Sequence, residues 1–205
     1  MSAVSERRNA RQCGRRLALV VSTLGGSWLG MLAVHEFGHV LHAWLSGGTV
    51  AGVDLPLAGF SQTHVSPNPH PQFVAWGGAV WGSLLPVAIW AIARRAAPSL
   101  GFLAAFFARF CSVANGAYLA AGLFVGGPHD ADDAHELLRH SAQTWQLIFF
   151  GLVAAAIGVS LWHGLGSSFG LGRAPNAIEG KAVAAAVLML FCWIAVFLIV
   201  AAVGV

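Results

Sequence analysis

From residue 182 to residue 203 the chain carries no charged side chain, and such a run decides the solvent in which that part of the chain folds. A hydrocarbon layer about 30 Å thick is crossed by about 20 residues of apolar helix. Stretches of that length occur five times: Leu17 to Leu45, Phe73 to Ala93, Leu100 to Val125, Thr144 to Leu165 and Lys181 to Val203. Only 9% of the 205 residues are charged and 57% are apolar, whereas an average soluble domain has about 25% charged residues. So few charges cannot cover a water-soluble globule, and the charge, repeat or heptad patterns of disordered, collagen-like and coiled-coil chains are absent. The expectation is an all-α membrane protein, one bundle of about five transmembrane helices, with no internal repeat and no linker long enough to separate domains.

The few charges are sorted. Lys and Arg collect on the cytoplasmic side of membrane proteins. With five spans, Arg7, Arg8, Arg11, Arg15, Arg16, Arg94, Arg95, Arg173 and Lys181 all fall on one face; Arg109 lies in the half of the third helix nearest to it, and Arg139 is the exception. The opposite face, with the adjoining end of the first helix, holds six of the eight acids and eight of the nine histidines. This places the N-terminus in the cytoplasm, in an integral protein of a bacterial plasma membrane. The basic start is not read as a cleaved signal, because the apolar stretch after it runs well past signal-peptide length. A net charge of +3 with dispersed basic residues excludes nucleic acid as a partner. Cys13, Cys111 and Cys192 are too far apart for a disulfide framework or thiolate site and read as small buried apolar residues.

Within the second half of the first helix stands His35-Glu36-Phe37-Gly38-His39. Residues four apart on a helix project from one face, so both imidazoles can bind one metal ion, while Glu36 is offset by one residue. Zinc held by neutral imidazoles with one open position lowers the pKa of water towards 7, and a neighbouring carboxylate can take the proton as the water attacks a carbonyl carbon. Residue frequencies give on the order of 0.01 chance occurrences of H-E-x-x-H in such a chain. A glutamate inside a membrane helix is also costly unless it serves a function. The competing reading is a polar trio satisfying itself in a bundle core.

A zinc hydrolase needs a third protein ligand, and the acidic stretch 126 to 143 returns to the face where the motif lies. His129, Asp130, Asp132, Asp133 and His135 are candidates; a solvated loop capping helix ends is the competing reading. His135 and His140 are five apart, which separates their rings by about 140° and disfavours chelation. Asn115 reads as a helix-to-helix hydrogen bond or a substrate contact, His42 as an interfacial residue or a contact behind the site, and His64 and His70 as surface residues. Trp residues near helix ends read as interfacial anchors.

The residues His35 to Val50, HEFGHVLHAWLSGGTV, resemble the site-2 protease family of intramembrane zinc metalloproteases (peptidase family M50), in which HExxH is followed by a small residue and then Gly and Val. Val50 to Phe60 is similar to the extended membrane-edge segment that follows the first core helix in that family. Trp76-Gly77-Gly78-Ala79 resembles its Gly-rich element. The family's third ligand is an Asp with leucines four and five residues on, and Asp133 has Leu137 and Leu138 at those offsets.

The resemblance thus implies a three-helix site-2-protease-like core, with His35, His39 and Asp133 binding one Zn2+ per chain and Glu36 as general base. Ala134 stands where the family has Gly, and its Asn-x-x-Pro element is not in register, so Asp132 and Asp130 stay open as ligands. The implied organisation is a basic cytoplasmic segment over 1–16, a metalloprotease core over 17–140, and two additional transmembrane helices over 141–205. The implied partners are the lipid bilayer and a membrane-spanning protein substrate. About six residues join the second and third helices, which leaves no room for an inserted PDZ domain, and no CBS domain is appended. Substrate choice then falls to the membrane core and to 47–72, where an extended segment can pair with an unwound substrate by strand addition. Two other functions are open: a catalytically silent relative that binds membrane helices as a regulator or chaperone, and a transporter with an incidental metal site.

Overall fold

The first apolar run folds as part of a helix much longer than the run itself. In the computed structural model, which describes residues 3–123, 133–160, 162, 164–172 and 176–203, helix α1 extends over Ala3–Leu45 without a break. At 1.5 Å per residue it is about 65 Å long. Its basic first part is therefore helical too, and it is tied to a distant part of the chain: Arg15 Nη1 donates to the Ile178 carbonyl at 3.3 Å, and the Ile178 N–H donates to Gln12 Oε1 at 3.2 Å.

After α1 the chain forms a hairpin of β1 (Val50–Asp54) and β2 (Gln62–Val65), paired antiparallel with Val53 opposite Thr63 and an irregularity between Val50 and Gly52. The segment expected to be extended thus contains β1, although the chain as a whole is mostly helical. Helix α2 (Pro71–Ala96) begins with Pro at its first position, where the missing N–H costs nothing. Four residues later, α3 (Gly101–Gly122) returns antiparallel. Then come α4 (Asp133–Arg139), α5 (Thr144–Ser160), α6 (Leu165–Ser168) and α7 (Gly180–Val203).

Four helices among the described residues are long and apolar enough to cross a membrane: Asn9–Leu45, Pro71–Ala96, Gly101–Ala120 and Gly180–Val203. The fourth expected run, Thr144 to Leu165, is divided instead. Helix α5 spans 17 residues, about 25 Å, and Gly164 takes a left-handed backbone (φ 84°) ahead of α6. The cysteine expectation also needs correction. Cys111 is buried, but Cys13 and Cys192 are exposed, because they lie on parts of α1 and α7 that no other helix covers.

Three apolar clusters hold the bundle together. One joins α1, α3 and α7 through Leu29, Leu32, Val34, Phe107, Cys111 and Phe197. A second gathers Leu19, Leu103, Phe169, Ile178 and Ala186 towards the basic end. The third, built on Ala75, Ala79, Leu119, Ala134, Leu137 and Leu147, locks the short helix α4 between α2, α3 and α5. That last cluster sets the position of Asp133, the first residue of α4.

Candidate metal centre

His35 and His39 are one helical turn apart on α1, and both are buried. A neutral imidazole carries one ring hydrogen, and its position follows from what each nitrogen faces. His35 Nδ1 lies 2.7 Å from Asn115 Oδ1, and His39 Nδ1 lies 2.8 Å from the Val74 carbonyl oxygen. The Asn115 amide is itself oriented, since its Nδ2 donates to the Cys111 carbonyl at 2.9 Å and turns Oδ1 towards His35. Both Nδ1–H groups therefore donate to α3 and α2, and both Nε2 atoms present lone pairs to a common point.

The two Nε2 atoms are 3.1 Å apart, and Asp133 Oδ2 lies 2.9 Å from His35 Nε2 and 3.4 Å from His39 Nε2. Three electron-pair donors this close repel one another unless a cation lies among them. Zinc bonds of about 2.0 to 2.1 Å give a tetrahedron with edges of about 3.3 Å, within a few tenths of an ångström of the 2.9, 3.1 and 3.4 Å between these atoms. The donor set, two imidazoles and a carboxylate, is one that zinc takes in hydrolases. Where the cation is a proton, burial alone would raise the Asp133 carboxyl. The charge on His39 and the hydrogen bonds from His35 and His39 outweigh burial and hold that carboxyl well below the usual carboxylate range.

Room for the cation comes from α2. A methyl built on Gly78 would stand 2.5 Å from His35 Nε2 and collide with His39 Nε2. It would thus fill the space that the donors face. One residue earlier, Gly77 meets Gly38 backbone to backbone, and a side chain on either would strike the other's carbonyl group. Glycine at 38 and 77 lets α1 and α2 approach closely enough for His39 to reach Val74. His42 completes this seam: its Nδ1–H donates to the Phe73 carbonyl at 2.6 Å, its Nε2 accepts from Trp81 Nε1–H at 3.1 Å, and its ring stacks on Phe73.

Glu36 reaches the hairpin. Its Oε1 accepts from Ser61 Oγ and its Oε2 from Thr63 Oγ1, both at 2.6 Å. Residues two apart on an extended segment face the same side, so Thr63 of β2 and Ser61, the residue just before that strand, both present their hydroxyls to Glu36. Glu36, His35, His39 and Asp133 line one cavity of about 420 Å³, together with the β2 edge and Tyr118.

Among the described residues, His35, His39 and Asp133 are the group that could hold a metal ion. Asp130, Asp132 and His129 lie outside the described residues. Leu137 is fully buried and Leu138 packs on the same cluster, so the leucines four and five residues after Asp133 anchor its helix. Asn115 does bridge helices, and its partner is the ring of a candidate ligand. His64 pairs with Asp54 at 2.8 Å across the hairpin, and His140 with Glu136 at 3.1 Å; both pairs are largely exposed, and neither belongs to the donor triad, although His64 and Glu136 line the same cavity. Sequence reasoning missed Ser61, Thr63, Gly78 as the cradle, and the Val74 carbonyl. The alternation of Ser61 and Thr63 was visible, but their partner stands 25 and 27 residues earlier.

Comparison with models of protein families, with curated proteins and with solved structures gives no match for this chain.

Proposed function

We propose that this chain is an intramembrane zinc metalloprotease of the site-2 protease type, hydrolysing peptide bonds of membrane-spanning proteins. The observation that carries the reading is the convergence of His35 Nε2, His39 Nε2 and Asp133 Oδ2 within 2.9 to 3.4 Å of one another, with both histidine hydrogens committed elsewhere. Zinc bound there supplies a Lewis acid that activates water at neutral pH.

The rest falls to the chain. Asn115 and Val74 orient the imidazoles, as partners behind metal ligands generally do. Glu36 takes the proton of the attacking water and returns it to the departing amine. Ser61 and Thr63 hold its two oxygens in place until then. The exposed edge of β2 lines the same cavity and suits strand pairing with an unwound substrate, which frees the amide that a helix would bury. The basic residues favour a cytoplasmic N-terminus, and α1 then carries the site towards the exterior.

Glu36→Gln tests the reading. The variant should keep one zinc per chain by elemental analysis, while membrane proteins that the wild type cleaves accumulate uncut in a proteomic comparison of cells carrying either form. Identical proteomes, or wild-type protein purified without stoichiometric zinc, would overturn it; the zinc-free outcome would favour the silent helix-binding relative.

A further inference from the structure

A second cavity, of about 270 Å³, lies against the first and shares His35, Glu36, Ser61 and Tyr118 with it. Its remaining wall is different in kind. Trp28, Met31 and Leu32 stand at the spacing that places them on one face of α1 together with His35, so an apolar strip leads directly to the candidate ligand. Ala114 and Ala117 form the facing wall on α3, and Phe60, carried between the hairpin strands, stacks over Tyr118 with ring centroids 6.0 Å apart.

The chemistry of this wall selects its occupant. The Asn115 amide that reaches it is already engaged with His35 and Cys111, and Glu36 at the junction is held by two hydroxyls. A charged group entering here would lose its hydration and find no replacement. The volume is below the roughly 300 to 1,000 Å³ of a pocket for a whole drug-sized ligand, so it suits one side chain rather than a free metabolite. The two alanines are what keep it open, since any larger residue at 114 would occupy it.

We propose that this cavity is a specificity pocket that receives an apolar side chain, of leucine to phenylalanine size, from the residue beside the peptide bond presented to His35, His39 and Asp133. Ala114 sets its depth and Phe60 covers it. This rests on the metalloprotease reading and adds to it the class of sequence cleaved: bonds flanked by a large apolar residue, not by a charged one.

Two probes separate the pocket from the metal centre on the full-length, zinc-loaded protein in detergent. One is acetohydroxamate; the other is a hydroxamate bearing an isobutyl arm on its α-carbon, and affinities are read by calorimetry. The wild type should bind the isobutyl compound roughly 10- to 100-fold more tightly, the worth of burying one leucine-sized side chain. Ala114→Leu should abolish that gain and leave acetohydroxamate affinity and zinc content unchanged. Ala117→Leu, at the exposed rim, should reduce the gain and serves if the interior substitution does not fold. Equal affinity of the wild type for both probes, or a gain that survives in both variants, would overturn the pocket alone. Failure of acetohydroxamate to bind the zinc-loaded wild type would overturn the metal reading and the pocket with it.

Discussion

Helices α1 and α7 are both long enough to cross a bilayer, yet they meet their surroundings in opposite ways. In the apolar window of α1 56% of residues are buried inside the protein, against 11% in that of α7. The buried set on α1 includes Thr23, Ser27, His35, Glu36, His39 and His42. Outward residues of α7 such as Leu188, Phe191 and Ile199 are more than half exposed and wholly apolar. The difference follows from solvent. A polar group facing hydrocarbon has nothing to bond to and costs several kcal/mol, so of these two helices only α1, which other helices and the hairpin enclose, carries the polar chemistry. Enclosure in turn requires small residues, and where α1 meets α2 these are Gly38, Gly77 and Gly78.

That contrast can be broken at its strongest point by Gly78→Ala. The added methyl occupies the space between the donor atoms, and we expect zinc stoichiometry to fall from one to near zero by elemental analysis, with the helical content unchanged by circular dichroism. Asn115→Leu removes the acceptor of His35 Nδ1–H, and zinc affinity should drop by about 10- to 100-fold, measured by competition with a chelating dye. Thr63→Val leaves one Glu36 oxygen without its donor. A hydrogen bond to a charged group contributes about 1.5 to 3 kcal/mol, so cleavage of a substrate identified by proteomics should slow by roughly tenfold or more at full zinc loading. Thr63→Ser should retain the wild-type rate, whereas equal loss in both variants would count against a positioning hydroxyl. On α7, Leu188→Ala should change stability by no more than about 0.5 kcal/mol and leave zinc binding untouched; a larger loss would mean that a partner covers this face.

What the sequence made legible was whatever depends on a short period. The H-E-x-x-H spacing places His35 and His39 together on any helix, and the apolar runs mark α2, α3 and α7 to within a few residues, whereas α1 begins fourteen residues before its run, at Ala3. Asp133 was reached only through the leucines that follow it, and these form part of the cluster that fixes α4. Contacts that depend on how separate elements meet were hidden. Nothing local in Ser61 or Thr63 announces that their hydroxyls close on Glu36, and the Val74 carbonyl carries no side-chain signature at all. The split of the fourth run was hidden for a related reason: apolar composition continues to Leu165, while the helix ends at Ser160 and Gly164 reverses its backbone.

The continuity of α1 makes that helix a ruler. Nineteen residues separate Arg16 from His35, about 28 Å along the axis, which is close to the thickness of the hydrocarbon layer. With the arginines held at one headgroup layer, the donor triad would sit at the opposite edge of the membrane, and in the proposed protease the length of one helix would set the depth at which a substrate is cut. Each residue inserted between the two would move His35 and His39 by about 1.5 Å and turn them by about 100°, out of line with Asn115, Val74 and Asp133 at once. The depth of the donor triad in this architecture can therefore change only in whole turns, and only if α2 and α3 lengthen with α1.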